Sequence, residues 1–321
     1  MTVYITNYAC SGWTAYREVG YGHQMKDQLT ALLIANIFGY TYVNHFHKPI
    51  ASMGLHQGCM KLSDLPEDIP RIIIERTGVR NGMPYNRLKK LNDECKEKTK
   101  NGEDVLVVIM RQSRVLLHQL YEWQREGKIQ HDAFMESREI IYNKFMMQND
   151  HVPVYIDDNK KSIALHIRRG DTADPTLKQT GRMGIQKDDN PNIMHSCLPV
   201  AWFKRITDMI ITNEVKEESY EIHVYTETRH SDDVVQCFES VPHCTLHIGE
   251  PFISDFKNIV HCDYIVMSNS GMSTLAGYMS LHSKKYYHPN PHSPTTLPQP
   301  EYNIVYLEDG EVYTYEKPKN T

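Results

Sequence analysis

Apolar and polar positions along the first half of the chain predict short strands that alternate with longer helices. The segment Met25–Phe38 is apolar on most of its faces, so we expect it to form a buried helix. Gly39 follows where a helix stop is expected. The polar stretch 63–104 predicts turns. The other predicted elements are strands at 3–5, 41–43 and 105–110, and helices at 114–126 and 132–148.

The second half continues the alternation after a predicted linker, Asn149–Pro153. Residues 172–196 are polar and rich in Gly, Pro and Asp, which is typical of functional loops. The predicted elements are strands at 162–167, 221–226, 245–248 and 264–267 and helices at 199–212, 231–240, 252–260 and 272–281, followed by an irregular Pro-rich tail at 289–300. Strand–helix alternation predicts parallel sheets with helices on both faces. We therefore expect an α/β fold of two lobes, 1–153 and 154–321, as the length of 321 residues also suggests.

Charge excludes one class of function. The chain has 40 acidic and 35 basic residues, a formal net charge of −5 and a pI near 6.4. Proteins that hold nucleic acids by bulk electrostatics carry a basic face and a pI above about 9. The sequence therefore predicts no nucleic-acid partner, and it leaves open a local basic site for a single small anion.

Cysteine usage and hydropathy bear on the compartment. The seven cysteines are odd in number and show no Cys-x-x-Cys spacing, so neither a disulfide framework nor a zinc site is expected. Neither a signal-peptide pattern nor an apolar run of about 18 residues is present, so no transmembrane segment is expected. The default expectation is a cytoplasmic protein, although a lumenal protein trimmed of its leader would show the same pattern.

Metal and nucleophile chemistry have little support. The consecutive residues His261–Asp263 cannot all point at one ion, and the His45/His47 and His288/His292 pairs lack carboxylate or thiol neighbours. The chain contains no Asp-x-Asp, the carboxylate pair with which many sugar transferases hold a divalent ion. It also lacks Gly-x-Ser-x-Gly. We therefore expect no metal, and arginines with a helix N-terminus as the counter-charge of any bound diphosphate.

The strongest candidate chemistry lies where the strand 162–167 ends. Ligands of open α/β sheets bind beyond the carboxyl ends of the strands. Arg168 and Arg169 place two always-charged guanidiniums there, a pair suited to the oxygens of a diphosphate. Gly170 would let the backbone approach the ligand, and Asp171 could hold an arginine in place. The alternative is a partly buried salt-bridge cluster that caps the sheet.

Three weaker candidates accompany it. Small hydroxyl residues at 268–274 join a strand to a helix N-terminus, which favours phosphate binding, with ordinary N-capping by Ser270 or Ser273 as the alternative. Glu227, at another strand end, could accept two N–H bonds from a guanine edge. The segment Gly20–Gln24 precedes a buried helix, but it lacks the third glycine and the lysine of the usual phosphate loops. Its polar side chains would contact either the donor substrate or the acceptor substrate of a transfer reaction.

Four segments together resemble the fucosyltransferase superfamily. His166-Ile-Arg-Arg-Gly-Asp171 looks like the His-x-Arg-Arg-Gly-Asp donor motif of its α-1,2 branch. Ser268–Ala276 looks like that branch's Ser-Asn-Ser-x-Phe-Ser-Trp-Trp-Ala, with Thr-Leu in place of Trp-Trp. Gly20–Met25 is similar to its Gly-x-Gly-Asn-Gln-Met, with His23 in place of asparagine. Tyr225–Glu227 falls where the family has a strand ending in Ser-Asp-Asp. The order and spacing match from residue 20 to about 276.

The resemblance implies a GT-B glycosyltransferase fold, in which two Rossmann-like lobes face each other across a cleft. It also implies that the C-terminal lobe holds GDP-fucose and that transfer inverts fucose C1 without a metal. Arg168 would clamp the β-phosphate and stabilise the leaving GDP, supported by Arg169 and Asp171. His166 and Glu227 would contact the nucleoside. Further donor contacts would come from Ser268, Asn269, Ser270, Ser273 and Thr274 and from Gly22, His23 and Gln24.

We therefore predict an inverting, metal-independent fucosyltransferase that moves L-fucose from GDP-β-L-fucose to a glycan hydroxyl, with galactose as the first guess for the acceptor. GDP-fucose is a substrate, so no cofactor is expected. The N-terminal lobe and the 172–196 loop are expected to serve the acceptor, and the candidate general bases are Asp171, Asp174, Glu18 and Asp27. Two alternatives stay open: a transferase that uses another nucleotide sugar, and an inactive nucleotide- or glycan-binding module. The sequence specifies no oligomeric state.

Overall fold

The computed structural model describes residues 1–8, 21–44, 53–74, 85–110, 119–120, 123–124, 126–173, 197–287, 302–308 and 311–315. Within these ranges, side chains are described except at 8, 21–27, 110, 131, 171–172 and 302–315. The chain divides into two compact units, Met1–Asp150 and His151–Thr321, and each contains its own β-sheet. The predicted boundary lies after residue 153.

A parallel five-stranded sheet forms the centre of the first unit, in the order β3–β2–β1–β5–β4. Its strands are β1 (Val3–Tyr8), β2 (Thr41–Asn44), β3 (Met60–Lys61), β4 (Arg71–Ile74) and β5 (Val105–Met110). The apolar run that predicts β5 is buried from residue 105 to 109. This burial confirms a strand that is covered on both faces.

The described part of the first unit includes the helices α1 (Tyr21–Phe38), α2 (Tyr85–Lys100) and α3 (His131–Gln148). Residues 28–35 of α1 are all buried, which confirms the predicted buried helix. The helix begins earlier than predicted, so the Gly22–Gln24 segment lies in its first turns instead of in a loop. Most of the helix predicted at 114–126 lies outside the described residues.

The stretch 63–104 was predicted as turns, and that prediction is wrong. It contains the edge strand β4 and the long helix α2. Only four side chains of α2 are buried, and these are Leu88, Leu91, Asn92 and Cys95. Their spacing makes a single narrow stripe, so the many charged residues of the other faces conceal the helical period in the sequence.

A seven-stranded sheet forms the centre of the second unit, in the order β12–β11–β10–β9–β6–β7–β8. The strands that pair from β8 to β11 are parallel, as the strand–helix alternation predicts. They are β6 (Lys161–Ile167), β7 (Tyr220–Thr226), β8 (Cys244–Ile248), β9 (Tyr264–Met267), β10 (Lys284–Tyr287) and β11 (Tyr302–Glu308). An antiparallel strand, β12 (Glu311–Tyr315), completes the sheet. The α/β class is therefore confirmed for both units.

The helices of the second unit lie where the sequence places them. They are α4 (Val200–Ile210), α5 (Asp232–Phe238), α6 (Phe252–His261) and α7 (Gly271–Met279), and a π-helical segment, Ile211–Val215, extends α4. Strands β10, β11 and β12 were not predicted. The Pro-rich tail, 289–300, lies outside the described residues.

The main core of the second unit packs α4 against the sheet. Trp202, Phe203 and Ile206 are buried with the residues of β6 that face them, Ile163 and Leu165. This packing fixes β6 in the middle of the sheet, between β7 and β9. Because these strands are parallel, their carboxyl ends meet at one edge of the sheet.

Candidate active site

The carboxyl edge of the second sheet brings together residues that are far apart in the chain. β6 ends at Ile167, β7 at Thr226 and β9 at Met267, so the segments that start at residues 168, 227 and 268 are neighbours there. Three of the predicted site segments therefore meet at one place.

Arg168 and Glu227 form an ion pair at this edge. The Arg168 Nη1 donates to Glu227 Oε1, and each side chain is 30% exposed. The other carboxylate oxygen, Oε2, accepts from the backbone N–H of Arg169 at 2.7 Å. Both carboxylate oxygens of Glu227 therefore accept hydrogen bonds from residues 168–169, the arginine loop. The predicted contact between Glu227 and a guanine edge has no support in this arrangement.

Arg169 is a structural residue. Its side chain is 0% exposed and forms an ion pair with Asp233, with Nη2 2.7 Å from Oδ2. Its Nη1 donates to the carbonyl oxygens of Arg168, at 2.8 Å, and of Leu198, at 3.2 Å. A contact between the Arg169 guanidinium and a diphosphate therefore stays a prediction, and the burial of this side chain against Asp233 gives it no support. The alternative, a partly buried salt bridge at the end of the sheet, matches the observed pair of Arg169 and Asp233.

Gly170 lets the backbone approach Glu227. Its φ of +59° lies in the left-handed region, and a Cβ added there would be 3.3 Å from Glu227 Cγ. Its N–H donates to the carbonyl of Arg229 at 3.0 Å. The close approach predicted toward a ligand is therefore made toward the side chain that orients Arg168.

His166 links β6 to the segment that follows β9. Its Nδ1 lies 2.5 Å from Ser273 Oγ and 3.0 Å from Ser268 Oγ, and the ring is 4% exposed. Burial lowers the pKa of His166 to about 4; Glu227 opposes this shift and Arg168 adds to it. The ring is therefore neutral at pH 7. The structure shows it tying two segments together, where the resemblance implied a contact with the nucleoside.

The 268–274 segment uses its hydroxyls internally. Ser270 caps α7 by accepting from the Met272 N–H at 3.2 Å, and the Thr274 hydroxyl donates to the Ser270 carbonyl at 2.8 Å. Ser268 and Ser273 are fully buried. The capping alternative therefore holds for Ser270. The groups of this segment suited to a phosphate are the first-turn amides of α7, of which the Met272 N–H is already bonded to Ser270 Oγ.

Tyr287, at the end of β10, orients Asn269. The tyrosine hydroxyl donates to Asn269 Oδ1 at 2.7 Å. This bond holds the amide of a predicted donor residue against the edge of the sheet. The sequence did not single out Tyr287, because β10 was not predicted.

Asp255 is a further ionisable group that sequence reasoning missed. It lies in the first turn of α6 and is buried. Burial, then the charges of Glu250 and Glu227, raise the pKa of Asp255 to about 8. The carboxyl therefore keeps its proton at pH 7 and can both donate and accept a hydrogen bond. An acidic residue in a first helical turn is common, so no sequence signal set it apart.

Several predicted residues are described only in part. Gly22, His23 and Gln24 lie in α1 and Asp171 in the turn Gly170–Ala173, and their side chains lie outside the described part of the chain. The same holds for the side chain of Asp27. Glu18, Asp174 and the acceptor loop from residue 174 to 196 lie outside the described residues altogether.

A separate cavity of about 490 Å³ lies at the amino ends of β6, β7 and β9. Its lining includes Lys161, Ser219, His261 and Asp263. The amino ends of parallel strands lie at the edge opposite to their carboxyl ends, so this cavity is distinct from the edge that carries Arg168. Side chains of both signs line it, and they indicate no single ligand chemistry.

Within the described ranges, His, Cys, Asp and Glu form no group of three that is placed to hold a metal ion. None of the described helices is both long and apolar enough to cross a bilayer.

Comparison with known proteins finds likeness in solved structures alone. No family model matches the chain, and no curated protein matches it. The fucosyltransferase NodZ from Bradyrhizobium is 11% identical over 99% of each chain, with a TM-score of 0.44. POFUT1 in complex with GDP is 10% identical over 89% of this chain and 98% of its own, with a TM-score of 0.44. A family 9 glycosyl transferase from Veillonella parvula is 11% identical over 95% and 86%, with a TM-score of 0.41. At these TM-scores the likeness assigns neither a family nor an activity.

Proposed function

We propose that the carboxyl edge of the second sheet binds the diphosphate of a nucleotide sugar and that the protein is a metal-independent, inverting fucosyltransferase. One observation carries the proposal: the Arg168 side chain is partly exposed and oriented by Glu227, at the same edge of the sheet as the N-terminus of α7. A fixed guanidinium and the amides at a helix N-terminus both bind phosphate oxygens.

Arg168 would act on the bond that breaks. In the proposed transfer, a glycan hydroxyl oxygen attacks fucose C1 from the face opposite the diphosphate. The C1–O bond breaks, its electron pair leaves with GDP, and the hydroxyl proton passes to a base. Negative charge grows on the diphosphate as that bond breaks, so a preorganised guanidinium stabilises the transition state more than the bound donor.

The neutral His166 supports this role. It adds no charge beside Arg168, and its bonds to Ser268 and Ser273 hold the end of β6 next to the start of α7. The two elements that would bind the diphosphate are therefore fixed relative to each other. The general base is proposed among Asp171, Asp174, Glu18 and Asp27, and galactose remains the first acceptor to test.

Arg168→Ala tests the proposal directly. We expect transfer from GDP-fucose to fall at least about 100-fold, the effect of removing one transition-state hydrogen-bond donor. Arg71→Ala is the matched control, because Arg71 is exposed on β4 in the first unit. A chelator should leave the rate unchanged. Near-normal transfer by Arg168→Ala would contradict the assignment, and loss of transfer in EDTA would contradict metal independence.

One observation favours a second candidate, a transferase that uses another nucleotide sugar. Because both oxygens of Glu227 are engaged by the arginine loop, the guanine contact expected of this residue lacks support. A thermal-shift panel of GDP, UDP and dTDP separates the two candidates. Stabilisation by GDP alone supports the fucosyl donor, and stabilisation by UDP or dTDP without GDP supports the second candidate.

A further inference from the structure

Arg169 forms a partly buried ion pair with Asp233 and also donates to the carbonyl oxygen of Arg168. We propose that Asp233 is a positioning residue for Arg168 and that it acts through the Arg169 guanidinium. The inference rests on the proposed function, in which Arg168 binds the diphosphate. Neither the donor motif nor the strand pattern singled out Asp233.

Asp233 fixes the orientation of the Arg169 guanidinium. Arg169 Nε lies 3.1 Å and 3.2 Å from the two carboxylate oxygens of Asp233, and Nη2 lies 2.7 Å from Oδ2. Contacts from two nitrogens define both the position and the plane of the guanidinium. Asp233 itself is held in the first turn of α5, where a negative charge is favourable.

The oriented guanidinium then holds the peptide from which the Arg168 side chain departs. Its Nη1 donates to the Arg168 carbonyl at 2.8 Å. The N–H of the same peptide, that of Arg169, donates to Glu227 Oε2 at 2.7 Å. Both polar groups of the 168–169 peptide are therefore anchored, and the Arg168 side chain starts from a fixed backbone.

Removal of the Asp233 charge undoes this arrangement. It removes the carboxylate charge that pairs with a fully buried guanidinium, so Arg169 is expected to shift toward water or toward other partners. The Arg168 carbonyl then loses its donor. A displacement of about 1 Å at a catalytic group can lower a rate about 100-fold.

Asp233→Asn tests the proposal in the full chain, with Asp232→Asn as the matched control. Asp232 is the preceding residue of the same helical turn, and it is exposed. We expect kcat for GDP-fucose transfer to fall by about 10- to 100-fold in Asp233→Asn with a smaller change in KM, because Arg168 acts mainly on charge that develops in the transition state. Asp232→Asn should keep wild-type kinetics.

Hydrogen exchange supplies a readout that needs no donor. The amides of Arg169 and Gly170 donate to Glu227 and to the Arg229 carbonyl, so they report whether this loop is held. We expect both amides to exchange at least about tenfold faster in Asp233→Asn, while the amides of β9 keep their rates. A general loss of stability would accelerate exchange in β9 as well.

A double variant covers the case in which Asp233→Asn does not fold. Arg169→Met with Asp233→Leu replaces the ion pair by two apolar side chains, and the exchange of ion pairs for apolar side chains is often tolerated by folded proteins. It removes the donor to the Arg168 carbonyl without leaving a buried charge. We expect a melting temperature near that of the wild type, fast exchange at Arg169 and Gly170, and the same loss of kcat.

The outcomes separate this proposal from the proposed function. Wild-type exchange at Arg169 and Gly170 in a folded variant overturns the positioning role, and so do fast exchange and unchanged kcat in an active enzyme. If the wild type neither binds GDP nor transfers fucose, the proposed function fails. Fast exchange at the two amides would then still support Asp233 as the residue that positions Arg168.

Discussion

Asp255→Asn should make the second unit more stable at alkaline pH. Asp255 is buried near two other acidic residues, Glu250 and Glu227, and its pKa is raised to about 8 from 3.8. An asparagine has nearly the same shape as the protonated carboxyl and carries no charge at any pH. The variant therefore removes the titration and leaves the packing in place.

The sign and size of the effect follow from the two pKa values. Below pH 4 the carboxyl is protonated in both the folded and the unfolded chain, so its contribution to stability is fully present. As the pH rises from 4 to 8, the unfolded chain releases this proton and the folded chain keeps it, so stability is lost. The complete loss, above pH 8, corresponds to about 6 kcal/mol at 1.36 kcal/mol per pKa unit.

Native-state hydrogen exchange measures this free energy within the second unit. The opening free energy of the β7 amides, corrected for the intrinsic exchange rate, should rise in Asp255→Asn relative to the wild type as the pH increases from 5 to 9. Asp158→Asn is the control, because that carboxylate is 88% exposed. Equal pH dependence in the wild type and in Asp255→Asn would refute a raised pKa at Asp255, and so would lower stability of the variant at pH 9.

Two further predictions concern the same unit. Gly170→Ala should lower the free energy of unfolding by about 1–2 kcal/mol, the cost of placing a residue with a Cβ in the left-handed region, and should shift Glu227. Urea unfolding measures this loss. An unchanged free energy of unfolding would contradict the close approach between Gly170 and Glu227. His247 is buried beside His223, and burial lowers the pKa of its ring to about 4. The neutral ring therefore contributes about 3 kcal/mol to the free energy of unfolding above pH 6.5, and this contribution should be lost as the pH falls from 6.5 to 4. The free energy of unfolding of His247→Phe should fall less steeply below pH 6.5 than that of the wild type. Equal slopes in this pH range would contradict the burial of the His247 ring.

Elements with a long run of apolar residues were predictable from the sequence. Elements that are rich in charged residues were not. The buried runs that form β5 and β6 have apolar side chains on both faces, which leaves few alternatives to a central strand. Helix α2 buries only a narrow stripe, and β10 begins with two lysines, so charged residues conceal both. Their structure depends on what the rest of the unit packs against them, and a local pattern does not contain that information.

The position of the candidate site was predictable for the same reason. Its residues follow the ends of parallel strands, and such ends meet at one edge of a sheet. The role of each residue was less accessible. Arg168 and Arg169 are adjacent and chemically identical, yet one is partly exposed and the other fully buried. The difference is set by Asp233 and Glu227, which are about 60 residues away along the chain.

The pairing of charges at this edge determines what a bound diphosphate would encounter. Arg169 is neutralised by Asp233, and Arg168 is paired with Glu227. A diphosphate that binds Arg168 beside Glu227 would share the guanidinium charge, so the Glu227 carboxylate, which already raises the pKa of Asp255, would be less neutralised. Binding would then hold the proton on Asp255 more tightly. By linkage, the protonated form of Asp255 would favour binding of the anion. In the proposed function, a protein with a net charge of −5 would hold its anionic donor with one guanidinium and the amides of α7, and the buried carboxyl of Asp255 would add no negative charge.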